Sequence, residues 1–199
     1  MPEFDSRDPR TPAFWDERFE REFTPWDRGG VPEQVREFVA QSQARTVLIP
    51  GCGAGYELVY FSEAGWDATA IDFSPAAVER ARAITGQWSD RVVEADFFAY
   101  EPAVRLDMIY ERAFLCALPR AIWPQVARRW AQLLPPGGLL AGFFFFDDAP
   151  KGPPFGISHA ELDQLLREDF ECVEDAEVAD SIPVFAGKER WMVWERKQR

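Results

Sequence analysis

Short apolar runs alternate with amphipathic segments along most of this chain. The runs have the length and the apolar content of buried strands, and the segments between them repeat apolar side chains at helical spacing. The predicted strands are residues 46–50, 67–72, 91–96, 106–111 and 138–146. The predicted helices are residues 33–42, 55–64, a segment opened by Ser74 and Pro75, and residues 120–134. Alternation of this kind predicts a parallel sheet covered by helices.

The C-terminal part breaks the alternation. Ser158 and Glu161 have the spacing of a capping box and predict the start of another helix, which runs to about Glu168. Residues 170–178 and 190–196 then read as two strands with no helical pattern between them, so we expect them to pair antiparallel. The pattern therefore predicts a three-layer α/β sandwich whose mostly parallel, seven-stranded sheet ends in an antiparallel hairpin.

The first 32 residues differ from the rest. Trp15, Phe19 and Phe23 are four positions apart and mark one face of a short helix. The proline- and glycine-rich stretch 24–32 then predicts a loop. We expect a single domain over residues 1–199, with residues 1–32 as an aromatic N-terminal lid segment and residues 33–199 as the core.

Composition narrows the class of protein. The net charge of −12, from 34 acidic and 22 basic residues, argues against nucleic acid as a partner. The chain contains three scattered cysteines and a single histidine, His159, so we expect no zinc site and no disulfide framework. No apolar run is long enough to span a bilayer, and the N-terminus lacks a signal core. These features predict a soluble cytoplasmic protein without a membrane partner.

Candidate chemistry centres on "PGCGAGYE", which follows the first predicted strand and carries Gly51, Gly53 and Gly55. Glycine lets the backbone approach a ligand closely. Asp72 ends the next strand, 21 positions after Gly51, where a carboxylate can accept hydrogen bonds from both hydroxyls of a ribose. The alternative interpretation is that Asp72 only caps a turn or a helix.

The spacing of the glycines separates two classes of nucleotide ligand. The dinucleotide pattern G-x-G-x-x-G does not match, because Tyr56 occupies the position of its third glycine. The observed G-x-G-x-G suits a nucleoside with an amino-acid tail, such as S-adenosylmethionine. Asp96 ends the third predicted strand and Phe97 follows it, where both can contact an adenine ring, although Asp96 is also a candidate turn cap. An NAD-dependent oxidoreductase is the weaker alternative.

Nearly the whole chain, from Trp15 to Trp191, resembles the thiopurine S-methyltransferase superfamily, which includes thiol and halide methyltransferases. The resemblance is carried by the motifs "FWDERFEREFTPWDRGG", "LIPGCGAGYE", "AIDFSPAAVERA", "EADFF", "LDMIYERAFLCALP", "GPPF" and "SIP…GKERW". It implies a class I (Rossmann-like) methyltransferase fold with S-adenosylmethionine as the methyl donor and S-adenosylhomocysteine as its product.

The resemblance also implies roles for particular residues. Arg112 is the candidate catalytic residue, because it matches a position near the methionine part of the donor and the active centre. The candidate donor-binding residues are Trp15, Phe19, Trp26, Gly51, Cys52, Gly53, Asp72, Phe73, Asp96, Phe97 and Arg112. For Phe19 the alternative is core packing, and for Arg112 it is an ion pair with Glu111 or another acid at the sheet edge. We also predict that Trp26 and Phe155 border the acceptor; the alternative interpretation of "KGPPFG" is a rigid connector.

The predicted activity is methyl transfer to a small molecule, with a thiol or thiopurine sulfur as the leading acceptor and halide, selenium or tellurium species as further options. The alternatives are an O- or N-methyltransferase of small metabolites and a non-catalytic module that binds S-adenosylmethionine. We expect no metal, and either a monomer or a weak homo-oligomer. The sequence leaves the acceptor itself open.

Overall fold

The structure is a computed structural model that describes residues 3–198, so the outermost ends of the predicted domain and lid segment lie outside the described residues. Seven strands form one sheet in the order β3-β2-β1-β4-β5-β7-β6. The strands are β1 (Thr46–Pro50), β2 (Asp67–Asp72), β3 (Val92–Glu94), β4 (Met108–Arg112), β5 (Leu139–Phe145), β6 (Phe170–Glu177) and β7 (Glu189–Arg196). The first five strands are parallel, and β7 pairs antiparallel with both β5 and β6. The predicted α/β architecture is confirmed.

Six α-helices accompany the sheet in the described part of the chain. They are α1 (Pro12–Glu20), α2 (Glu33–Gln41), α3 (Tyr56–Glu63), α4 (Pro75–Thr85), α5 (Trp123–Leu133) and α6 (His159–Leu166). Short 3-10 turns at Gly86–Arg91, Leu115–Ala117 and Arg120–Ile122 were not predicted. The third strand is shorter than predicted, and the fourth begins and ends later, so that Arg112 is its last residue.

The sheet divides the core into two layers because successive side chains of a strand point to opposite faces. Val47, Ile49 and Met108 pack on one face against α2, α3 and α4. Leu48 and Ile109 pack on the other face against α5 and α6. Helix α1 lies outside both clusters and contacts α4 instead.

Local sequence fixes several helix starts. The Ser74 hydroxyl accepts a hydrogen bond from the Ala77 amide, and Pro75 follows as the first helical residue of α4. Ser158 and Glu161 form the predicted capping box of α6. In the described residues, no helix is long and apolar enough to cross a membrane.

Gly142 sets how closely β4 and β5 approach beside the site described below. A Cβ atom at this position would lie 1.8 Å from the backbone oxygen of Glu111, the neighbouring residue of β4. We predict that Gly142→Ala lowers the free energy of unfolding by at least ~3 kcal/mol, because two central strands must separate to admit the methyl group.

Urea denaturation measures this change. Gly30→Ala is the control, since nothing lies within 4 Å of a Cβ placed there. Equal stability of the two variants would contradict the prediction.

Candidate active site

A cavity of about 480 Å³ opens at the carboxyl ends of the parallel strands, beside the point where the strand order reverses between β1 and β4. Ligands of open α/β sheets bind at this kind of crevice. Residues 51–57, 71–73, 95–98 and 112–118 line it from the sheet, Leu115 excepted. The lid segment contributes Arg7, Phe14, Trp15, Arg18, Phe19, Phe23, Pro25, Trp26, Asp27, Arg28 and Gly30, and two loops contribute residues 152–154, Val184 and Phe185.

The glycine loop forms one wall of the cavity. Gly51 has a φ of 60°, which a residue with a side chain adopts at a cost, and a Cβ there would lie 2.7 Å from the ring of Phe114. Gly55 is also left-handed and lies against Thr85 and Ala81 of α4. The glycines therefore serve the turn and its close packing as well as access to the cavity.

Asp72 is buried at the end of β2, and its side chain ties two loops together. It accepts hydrogen bonds from the backbone amides of Gly53 (3.2 Å) and Ser74 (3.0 Å). Burial raises the pKa of this carboxyl to about 6, although these hydrogen bonds oppose the rise. Asp72 is thus both the predicted cap and a cavity-lining carboxylate, with Phe73 beside it.

Asp96 and Phe97 lie just beyond the end of β3 rather than within it. Asp96 is exposed and accepts a hydrogen bond from the Phe98 amide at 2.9 Å, which makes it a turn cap as well. Phe97 is buried and packs edge-on against Phe114 at 5.0 Å between ring centroids. Both residues line the cavity, as the sequence predicted they would line a site.

The lid segment covers the cavity with aromatic rings. Trp26 lies 5.5 Å from Trp15 and 6.0 Å from Phe19, both measured between ring centroids and both edge-on. The indole nitrogen of Trp15 donates to the backbone oxygen of Pro9 at 2.8 Å. Phe14 is buried and lines the cavity too, although the predicted helical face did not include it.

The side chains of Asp16, Asp27 and Arg28 hold the lid segment against the core. The Asp16 carboxylate accepts hydrogen bonds from the Ser74 hydroxyl (2.6 Å) and the Ala76 amide (3.1 Å) at the start of α4. Asp27 pairs with Arg80 at 3.3 Å, and Arg28 pairs with Asp180 at 2.8 Å. The N-terminal end of α4 favours the negative charge of Asp16.

Arg112 lines the cavity and is paired with Glu189 of β7 at 2.8 Å. The other oxygen of Glu189 accepts from the Ser181 hydroxyl at 2.6 Å. The guanidinium lies over the rings of Phe143 and Phe185, and its Nη2 is buried without a hydrogen-bond partner among the described residues. The predicted ion pair with an acid is therefore present, with Glu189 and not Glu111 as the partner, and Arg112 also lines the cavity.

Two buried acids at the site were missed by sequence reasoning. Glu57 lines the cavity directly after the glycine loop, and Tyr110 donates a hydrogen bond to it at 3.2 Å. Glu111 accepts from the amides of Phe114 and Leu115, and burial raises its pKa to about 7. The available signal was an acidic residue in an otherwise apolar strand for Glu111, and an acid next to the glycine loop for Glu57.

Phe155 is the predicted site residue that the structure does not bring to the cavity lining. Its ring packs against the core and close to Gly152, where a Cβ would lie 2.6 Å from the ring. Its neighbours Gly152, Pro153 and Pro154 line the cavity in its place. His159 is stacked on Phe146 at 3.9 Å between ring centroids and does not line the cavity either.

Comparison with known proteins gives concordant matches. A profile of the thiopurine S-methyltransferase (TPMT) family matches residues 10–197. Probable thiol methyltransferase 2 of Arabidopsis thaliana is 32% identical over 162 residues, covering 76% of this chain and 70% of that protein. Thiocyanate methyltransferase 1 of the same plant is 27% identical over 190 residues, covering 92% and 84%.

The fold has close structural neighbours as well. The 1,6-didemethyltoxoflavin-N1-methyltransferase of Burkholderia thailandensis, solved with its substrate and S-adenosylhomocysteine, superposes with a TM-score of 0.77. The match covers 99% of this chain and 94% of that one at 18% identity. Together with the sheet order, this likeness establishes a class I methyltransferase fold.

The raised pKa of Asp72 gives a testable pH dependence for nucleoside binding. In the predicted role of Asp72, a ribose hydroxyl would donate to the ionised carboxylate, and below a pKa of about 6 the free protein takes up a proton that binding would have to expel. We predict that the affinity for 5′-methylthioadenosine, which has the ribose and adenine but no amino-acid end, falls about 10-fold between about pH 8 and about pH 5.

Calorimetric titration at both pH values measures this loss. The control is Asp72→Asn, which we expect to bind weakly and nearly independently of pH. A wild-type affinity that stays constant down to about pH 5 would contradict the role of Asp72.

Proposed function

Because this chain belongs to the thiopurine S-methyltransferase family and is a methyltransferase that uses S-adenosylmethionine on a small molecule, we propose that its acceptor is the sulfur atom of an uncharged, largely apolar thiol. The observation that carries this proposal is the charge balance of the cavity. Apart from the walls that we assign to the donor, the lining consists mostly of apolar groups: Trp26, Cys116, Leu118, Pro154, Val184 and Phe185.

Two of the arginines that line the cavity are already neutralised. Arg28 is paired with Asp180, and Arg112 is paired with Glu189. An anionic acceptor such as thiocyanate or a halide, placed beside Arg112, would bring a further negative charge next to Glu189. An uncharged thiol avoids this cost while it gains the burial of apolar surface.

The donor-binding residues are proposed from the walls of the cavity. The backbone of Gly51, Cys52 and Gly53 supports a close-lying methionine part, and Asp72 with Phe73 supports the ribose. Asp96 and Phe97 support the adenine ring. The unpartnered Nη2 of Arg112 fits a ligand that carries a carboxylate.

The chain's own contribution to the reaction is alignment and exclusion of water. S-adenosylmethionine supplies a methyl group already activated by the positive charge on its sulfur. Trp15, Phe19 and Trp26 offer ring faces that attract such a cation by about 0.5–2 kcal/mol each. Fixing the acceptor sulfur in line with the methyl group supplies the larger part of the rate, on the order of 7–11 kcal/mol.

The acceptor needs little help in losing its proton. The thiol binds uncharged and releases its proton to solvent as its sulfur bonds to the methyl carbon and the bond from that carbon to the donor sulfur breaks. A thiol pKa of about 8.5 makes this loss easy. This chemistry suits a cavity whose lining contains no histidine. For the same reason an alcohol, whose proton is far less acidic, is a poorer candidate.

We also propose the domain organisation, metal requirement, partners and location of the enzyme. We propose a single methyltransferase domain in which residues 1–32 act as the lid and residues 33–199 as the core. Displacement at a sulfonium needs no Lewis acid, which supports catalysis without a metal. The net charge of −12 supports the absence of a nucleic-acid partner. The scattered cysteines support a cytoplasmic location, and we propose a monomer or weak homo-oligomer without a membrane partner.

An acceptor panel tests the proposed substrate class. We predict S-adenosylhomocysteine formation with benzenethiol, aliphatic thiols and a thiopurine, and kcat/KM values at least about 10-fold lower for thiocyanate, iodide, selenite and tellurite. Catechol, the oxygen control, should give no turnover. Faster turnover of the anions than of the thiols would overturn the charge argument, and silence with every acceptor would overturn the sulfur assignment.

The lid role of residues 1–32 generates a separate prediction. The rings of the segment face the cavity, so bound S-adenosylhomocysteine should hold it closed. We predict that saturating ligand slows tryptic cleavage after Arg18, Arg21 and Arg28 by about 10-fold. Asp16→Asn should weaken this protection, because its side chain loses the charge that faces the start of α4.

Cleavage elsewhere in the chain serves as the internal control. Equal cleavage rates of the lid segment with and without ligand would show that it does not close on the donor.

A further inference from the structure

Glu57 is a buried carboxylate that the proposed chemistry does not yet use. It is the second residue of α3, immediately after the glycine loop, and it is 9% exposed. Its Oε1 accepts a hydrogen bond from the Tyr110 hydroxyl at 3.2 Å, and its own backbone amide also favours the charged form; within residues 3–198 no other side chain donates to this carboxylate. A carboxylate held in this way lacks most of the hydrogen bonds that compensate for burial.

Arg112 does not neutralise the charge of Glu57. Arg112 and Tyr110 lie on the same face of β4 because they are two positions apart. Burial raises the pKa of Glu57, and the charge of Arg112 opposes that rise, so the two groups are near each other. The ion pair of Arg112, however, is with Glu189 at 2.8 Å, and no Glu57–Arg112 ion pair is found in the described part of the chain.

The cavity therefore offers two separated poles beside the glycine loop. One pole is the Glu57 carboxylate, which has no ion pair within the described residues, and the other is the unpartnered Nη2 of Arg112. Both residues line the cavity. The amino-acid end of S-adenosylmethionine carries an ammonium group and a carboxylate on one carbon atom, which is the charge pattern that matches these poles.

We propose that Glu57 binds the ammonium group of the methyl donor, with Tyr110 holding its carboxylate in place. The inference rests on the use of S-adenosylmethionine and goes beyond the donor residues assigned above. Glu57 accepts a charge-assisted hydrogen bond from the ligand through Oε2, while Oε1 keeps the hydrogen bond from Tyr110. In the complex the ammonium group of the ligand is the cation that pairs with Glu57, because Arg112 is already paired with Glu189.

A purely structural role is the competing explanation. An acid in the first turn of a helix is favoured by the helix dipole, and Glu57 has that position in α3. A general base for the acceptor is the other competitor. Neither role requires that Glu57 distinguish a ligand with an amino group from one without it, so ligand analogues separate the three explanations.

The test is calorimetric titration of Glu57→Gln with three ligands: S-adenosylhomocysteine, its analogue without the amino group, and 5′-methylthioadenosine. The substitution keeps the size of the side chain and an acceptor for Tyr110 but removes the charge. We expect the Kd for S-adenosylhomocysteine to rise at least about 10-fold. The Kd values for the other two ligands should change less than about 2-fold.

Two further variants serve as controls. Glu63→Gln removes an exposed acid from the last residue of the same helix and should leave all three affinities unchanged. Glu57→Asp keeps the charge and should bind S-adenosylhomocysteine more tightly than Glu57→Gln does. If Glu57→Gln does not fold, the wild type and Glu57→Asp are compared with the same three ligands. The proposal then requires that the shorter side chain weaken binding of S-adenosylhomocysteine, which has the amino group, more than binding of the other two ligands.

The outcomes separate this inference from the proposed function. Equal weakening of all three ligands, or unchanged binding of S-adenosylhomocysteine with loss of turnover alone, would overturn the ammonium site and favour a structural or base role. In both cases the thiol acceptor class stands. Failure of the wild-type protein to bind any of the three ligands would instead remove the donor site as assigned here.

Discussion

Burial of charged side chains at the carboxyl ends of the parallel strands is the constraint on which the site depends. Asp72, Glu111 and Glu57 are all buried, at the ends of β2 and β4 and at the start of α3. A buried carboxylate is tolerated only where donors satisfy it. Asp72 finds them in the backbone of two loops, and Glu111 finds them in the turn after β4. The loops that line the cavity are consequently held in place by the acids they surround.

The same burial of acids connects the turn after β4 and the lid segment to the sheet. The turn after β4 includes Ala113 at a φ of 56°, and the amides bound by Glu111 follow directly, which aims Phe114 against Gly51. On the other side of the cavity, the lid segment reaches the same region through Asp16, whose partner Ser74 also donates its amide to Asp72. The lid segment, the glycine loop and β2 thus share one continuous set of hydrogen bonds. We therefore expect closure of the lid segment to be coupled to the position of the Asp72 carboxylate.

The sequence predicted the parts of this arrangement that depend on local pattern. The order of strands and helices, the capping box of α6 and the position of Asp72 all follow from periodicity and spacing within short stretches. Glu57 was not predicted because an acid in the first turn of a helix is ordinary, and only the packing of Tyr110 and Arg112 makes it exceptional. The pairing of Arg112 with Glu189 joins residues 77 positions apart and depends on the order of strands in the sheet. Phe155 was expected at the acceptor because its motif reaches the cavity, but the chain turns so that the preceding residues line it.

The central claim is that the loops after β1, β2, β3 and β4 form a single site for S-adenosylmethionine, oriented with its amino-acid end at the glycine loop. A crystal structure of the complex with S-adenosylhomocysteine tests it most directly. The account predicts the ribose at Asp72, the adenine at Asp96 and Phe97, and the ammonium group within hydrogen-bond distance of Glu57. A ligand bound in the reverse orientation, or outside this cavity, would contradict it.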